Sequence, residues 1–148
     1  MGDKTVITDE QGMKAAITAW LRLARVFQKI ERASAEHFAA HGLTVAQFDI
    51  LAQLGRKEGI SQQELADRLL VTKGNVSQLI GKMEERGLIY RCHTGRTNAL
   101  YLTDAGKRLR QETVPAQEEM IAAHFAPLTT RERRELLRLL RLLDHGLE

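Results

Sequence analysis

One cysteine, two prolines, one tryptophan and an aromatic share of 5% leave this 148-residue chain short of the residues on which several protein classes depend. A single thiol, Cys92, forbids an intrachain disulfide and suits a reducing cytoplasm better than secretion. No uninterrupted apolar run approaches the ~20 residues that cross a bilayer. The opening Met1-Gly2-Asp3-Lys4-Thr5 lacks the charged-then-apolar pattern of a secretory leader, so a cytoplasmic location is the expectation. There is no glycine-rich phosphate loop and no Ser/His/Asp spacing. Cys92-His93, the one candidate nucleophile–base pair, would point to opposite faces of a strand; an enzyme is not expected. A closed zinc site needs four ligands at ordered spacings, whereas His37, His41, His124 and His145 are scattered. Neither a metal nor another cofactor is expected.

What is present is ordinary for a soluble globular protein: 43% hydrophobic and 28% charged residues. With aromatics scarce, Leu, Ile, Val and Ala must build the core, as in helical proteins. The length admits one compact domain or two small lobes sharing a core. The net charge is only +3, but eleven basic and six acidic side chains between Arg56 and Arg110 make that segment +5. Its flanks are therefore slightly acidic. A basic middle is the footprint of a phosphate-binding surface; a chance excess on a solvated face explains the charge alone equally well.

From about Asp9 to Ala40 no proline occurs, and Ala16, Trp20, Leu23, Phe27, Ile30 and Phe38 recur on one helical stripe, widened by Ile17, Leu21, Ala24 and Val26. This surface exceeds what one helix covers, so a second subunit is expected against it. Thr44 caps a second helix running to about Arg56. Ser61 to Glu64 reads as a capping box opening a short helix. Thr72 caps a fourth helix that reaches Arg86 and is closed by Gly87. Two β-prone runs, 88–93 and 99–102, flank a polar turn over 94–98 and predict a hairpin. Thr103 caps a fifth helix reaching about Ala126, with Pro115 expected to kink it. Thr129 to Glu132 is a second capping box. It opens a last helix carrying Leu136, Leu137, Leu139, Leu140, Leu142 and Leu143, too many for one small core and better explained by a dimer interface.

The order of helix, capped short helix, turn, capped helix and hairpin is a winged helix-turn-helix. Val76, Leu79, Ile80 and Met83 form the buried stripe of the fourth helix. Its outward face carries Gly74, Ser77, Gln78, Gly81 and Lys82. The two glycines weaken a helix by about 1 kcal/mol each relative to alanine, a cost that close approach to a major groove would explain. Asn75 and Gln78 can pair bidentately with adenine, and Lys73 can reach guanine or a phosphate. Thr72 serves equally as a simple cap and Asn75 as a solvated first-turn residue. Ser61, Gln62 and Gln63 suit a phosphate clamp, although Ser61 can act as a cap alone. Arg96, beside Gly95 at the hairpin tip, can enter a minor groove or be merely solvated. A winged module that binds protein instead of DNA remains the alternative; it would want apolar anchors on the outward helix face.

Leu43 to Thr103 resembles the MarR family of bacterial regulators. The match is carried by Leu43 to Leu51, Ser61 to Ala66, Val76 to Ile80, Glu84 to Ile89 and Leu102 to Gly106. The resemblance implies a mainly α fold with a small β-hairpin wing (α+β), and a homodimer formed by N- and C-terminal helices. It also implies repression at pseudo-palindromic double-stranded DNA and release by a small organic effector. The expected organisation is a flexible N-terminus over 1–8, a dimerisation helix over 9–42, a DNA-binding domain over 43–103 and dimerisation helices over 104–148. Trp20, Arg22, His41 and Asp49 are candidates for the effector cleft, although Trp20 fits the core stripe better. The family's wing commonly carries Asp-x-Arg. Here it reads Thr94-Gly95-Arg96 in a short hairpin, so Arg96 keeps the Arg position without the bracing carboxylate. The reactive cysteine of the oxidant-sensing branch is missing from the first helix.

Overall fold

The computed structural model describes residues 6–69 and 75–148. Its elements run α1 (Glu10–Ala40), α2 (Val45–Arg56), β1 (Ile60–Ser61), α3 (Gln62–Arg68), α4 (Val76–Glu85), β2 (Ile89–Thr94), β3 (Thr97–Leu102), α5 (Asp104–His124) and α6 (Thr130–His145). Capping chemistry sets most of the boundaries. Asp9, Thr44, Ser61, Thr103 and Thr129 each take extended backbone and accept a hydrogen bond from the amide three residues on. The box is reciprocal at Thr44 with Gln47 and at Thr129 with Glu132. There the Thr129 amide, and then its hydroxyl, hold the Glu132 carboxyl below the usual carboxylate range. At Ser61 the expected return bond from Glu64 is replaced by an ion pair, with Glu64 Oε2 3.6 Å from Lys57 Nζ.

The fourth helix departs from expectation. It begins at Val76, not near Thr72, and Asn75 just before it sits in the left-handed region at φ 60, ψ 26 without a side-chain cap bond. Asn is the non-glycine residue that best tolerates this region. Asn75 is thus a sharp entry to α4 and not a first-turn residue. Thr72, Lys73 and Gly74 lie outside the described residues. Gly87, at φ +71, closes the helix as expected.

The wing is tighter than the sequence suggested. Thr94 pairs with Thr97, so both strands extend into the expected turn and leave a two-residue tip, Gly95-Arg96. Gly95 takes φ +66, the hairpin geometry that favours glycine at the first tip position. A third strand went unforeseen. β1 pairs antiparallel with β3, Ile60 opposite Leu100 and Ser61 opposite Ala99, giving the order β1-β3-β2.

The core belongs to the winged unit. Ile50, Leu51 and Leu54 of α2, Leu65 of α3, Ile80 and Met83 of α4, and Ile60, Ile89, Leu100 and Leu102 of the sheet are all buried. α1 adds only its C-terminal end, where Phe38 stacks on Phe48 at 3.9 Å between ring centroids. Its N-terminal half is bare. Trp20, placed in the core by its stripe, is 65% exposed, and Ile17, Leu21, Val26 and Phe27 are exposed beside it. The periodic stripe is present, but no element among the described residues covers it. α6 buries none of its residues. No helix among the described residues is long and apolar enough to cross a membrane.

Candidate nucleic-acid interface

The short strand β1 explains how the interface is assembled. Ile60-Ser61 hydrogen-bonds to β3 and passes directly into α3. The start of α3 is thereby fixed to the same sheet that carries the wing tip. α4 is secured against the other wing strand: Arg91 Nε of β2 lies 2.7 Å from Glu84 Oε1, and Arg91 Nη2 donates to the Ser77 carbonyl at 3.4 Å. At its far end Arg86 Nη1 donates to the Gly42 carbonyl at 2.8 Å, tying α4 to the turn between α1 and α2. Partly exposed pairs of this kind are worth about 1 kcal/mol or less each; their effect is to set the angle between helix and wing.

These constraints create a groove of about 610 Å³ lined by Ser61, Gln62, Gln63, Ala66, Asn75, Val76, Ser77, Arg96, Thr97 and Asn98. Six of the residues expected to contact DNA meet here: Ser61, Gln62, Gln63, Asn75, Ser77 and Arg96. Gln78 and Lys82 are exposed on α4 but do not line the groove. The Ser61 hydroxyl is engaged as the α3 cap, accepting from the Glu64 amide at 3.1 Å. Gln63 Nε2 lies 3.5 Å from Asp67 Oδ1. Thr97 and Asn98 were missed by sequence reasoning, which had assigned them to the turn; only the extended register of β3 brings them into the groove. Arg91 is one of the eleven basic residues between Arg56 and Arg110, and only the fold gives it a bracing role.

The apolar stripe of α4 is as expected, with Val76, Ile80 and Met83 buried and Leu79 packed against them. Opposite it, a β-carbon added at Gly81 would meet nothing within 4 Å. Cys92 is exposed in β2, opposite Ala99, and its neighbour His93 is opposite Asn98.

The four candidate effector residues are not brought together. A separate, mainly apolar cavity of about 230 Å³ lies between α1, α2 and α5, and Asp49 lines it along with Phe27, Phe38, Phe48 and Gln117. Trp20 lines a groove along α1 with Leu23 and Phe27. Arg22 and His41 line neither. His41 forms the C-cap of α1, with its ring edge-on to His37 at 5.3 Å. Ser34 and Gln117, 83 residues apart and hydrogen-bonded beneath the cavity at 2.7 Å, escaped the sequence reading.

Comparison with known proteins agrees with this geometry. The MarR family profile matches residues 41–97. An uncharacterized HTH-type transcriptional regulator of Bacillus anthracis is 30% identical over 118 residues, covering 80% of each chain. The HTH-type transcriptional repressor MdtR of Bacillus subtilis is 30% identical over 115 residues, covering 76% of this chain and 74% of its own. The crystal structure of the Mycobacterium tuberculosis MarR family protein Rv2887 in complex with salicylic acid is similar in fold. It has a TM-score of 0.65 and 28% identity, covering 82% of this chain and 92% of that one. The chain belongs to the MarR family of winged helix-turn-helix, DNA-binding transcriptional regulators.

Proposed function

We propose that the protein is a homodimeric repressor. Each protomer lays α4 in the major groove of one half-site of a pseudo-palindromic operator and directs Arg96 toward the adjacent minor groove. The observation that carries this reading is the convergence of the α3 start, the α4 start and the wing tip on one groove. Gln78 and Ser77 then face base edges, Gln62 and Gln63 flank the phosphates, and Lys82 and Arg96 supply charge. The bare apolar faces of α1 and α6 supply the dimer contacts. The two α4 helices would sit about 34–36 Å apart on DNA. A small organic effector in the cavity between α1, α2 and α5 would relieve repression by favouring a different separation. The repressor name of MdtR and the salicylic acid complex of Rv2887 support both halves of this reading.

Selection from a random duplex pool tests it. Enrichment of a palindrome is the expected result; no enrichment would turn the reading toward a winged module that binds protein. The enriched duplex then permits a sharper experiment. Gly81→Ala is expected to raise stability by up to about 1 kcal/mol through helix propensity, because the new methyl meets open space. It should nevertheless weaken DNA binding about tenfold, because the helix backbone approaches the groove floor at this position. Unchanged DNA affinity in a stabilised variant would remove close approach as the reason for this glycine.

A further inference from the structure

The cavity between α1, α2 and α5 has a definite chemical polarity. Ser34 Oγ donates its one proton to the Ile30 carbonyl at 2.8 Å. Toward Gln117 it can therefore only accept, and Gln117 Nε2 donates to it at 2.7 Å. This fixes the orientation of the amide and leaves Oε1 as an acceptor. Gln117 is 7% exposed, and its Oε1 is buried without a hydrogen-bond partner, an arrangement that a ligand donor would relieve. The charged side chains of the lining are Glu31 and Asp49. Among the described residues no Lys, Arg or His lines the cavity. The remaining wall is apolar, half aromatic and half aliphatic: Phe27, Phe38 and Phe48, the last two stacked, beside Ile30, Val45 and Ile121.

We infer that this cavity takes a protonated organic amine with one aromatic ring, and discriminates against organic carboxylates; the inference rests on the effector-binding reading above. An ammonium group satisfies the Gln117 acceptor, is attracted by Glu31, and is favoured by ring faces. A carboxylate meets like charge and an acceptor, with no donor from a basic side chain to offset its desolvation. The volume fits one substituted ring: about 230 Å³ here, against the about 150 Å³ that suffices for benzene.

Calorimetry on the intact protein at neutral pH tests this with three matched probes: phenethylamine, 2-phenylethanol and phenylacetate. Phenethylamine is expected to bind tightest, at least about tenfold above phenylacetate, with the neutral alcohol between them. Glu31→Gln should narrow the gap between amine and alcohol, while Gln117→Leu should weaken both. Glu31 is partly exposed, so the first substitution keeps the test open if the second perturbs folding. Phenylacetate binding as tightly as the amine, an amine–alcohol gap that survives Glu31→Gln, or no binding of any probe would each overturn the inference. Operator binding by the unsubstituted protein in the same preparation separates the two failures. Specific DNA binding without amine preference refutes the ligand class alone. Its absence refutes the repressor reading, and the calorimetry still decides the cavity.

Discussion

Replacing both Leu139 and Leu142 with glutamate is expected to convert the protein to a monomer and weaken its binding to a two-half-site operator by at least about 100-fold. The physical case begins with α6. It is sixteen residues long and buries none of them, leaving Leu137, Leu139, Leu142 and Leu143 exposed. Isolated helices not much shorter than this are marginal in water, so packing of an apolar face must supply the stability. α1 presents a second bare face through Ile17, Trp20, Leu21 and Phe27. Exposed apolar surface on this scale marks an interface. Burying a leucine stabilises by about 1.5–3 kcal/mol, and a two-fold interface counts each residue twice. Four lost leucines and four buried carboxylates leave little to hold the pair together. Light scattering at micromolar concentration reads the mass, and anisotropy on the operator reads the affinity. A dimer that survives the double substitution would move the interface away from α6.

Gly106→Ala is expected to cost about 3 kcal/mol or more of stability, a large value for one methyl. Gly106 lies in the first turn of α5, and its amide donates to the capping Thr103 Oγ1 at 3.1 Å. A β-carbon built there would fall 2.0 Å from the Leu88 carbonyl oxygen. That oxygen already accepts from the Thr103 amide at 3.0 Å, so it cannot move aside without breaking the bond that seats α5 beside the hairpin. Backbone does not yield as the end of a side chain does. Relief requires α5 to lift from the sheet, which would disturb Leu102 and the wing together. Denaturant unfolding of the variant beside Gly81→Ala gives an internal contrast, with the two alanines moving stability in opposite directions. A Gly106→Ala protein within about 1 kcal/mol of the parent would contradict the packing described for α5.

The residues that were legible in the sequence are those whose information is local. Thr44, Thr103 and Thr129 announce their helices because a hydroxyl three residues before an amide is a complete motif within four positions. The α4 stripe of Val76, Ile80 and Met83 was legible because period 3.6 repeats over the helix. β1 was not, because a two-residue strand has no period of its own and exists only by pairing with Leu100 and Ala99 some forty positions later. The α4 boundary was misread since Thr72 resembles a cap, while the left-handed Asn75 gives no periodic signal. Trp20 illustrates a different limit. The stripe told which face of α1 is apolar, but a stripe does not say whether its partner lies in the same chain. The cavity was the least legible feature. Its polarity depends on Ser34 and Gln117, which are distant in sequence and unremarkable alone, whereas the guess at Arg22 and His41 rested on chemistry without placement.

If α4 reads sequence in duplex DNA, a salt titration of binding to the enriched palindrome beside a scrambled duplex, for the parent and for Gln78→Ala, has a defined outcome. Steep salt dependence is expected on both duplexes, together with a preference for the palindrome. In Gln78→Ala that preference should fall by about 1–3 kcal/mol with the salt slope unchanged, as expected for a base contact. Equal affinity for both duplexes, or a Gln78→Ala protein that discriminates as well as the parent, would contradict it.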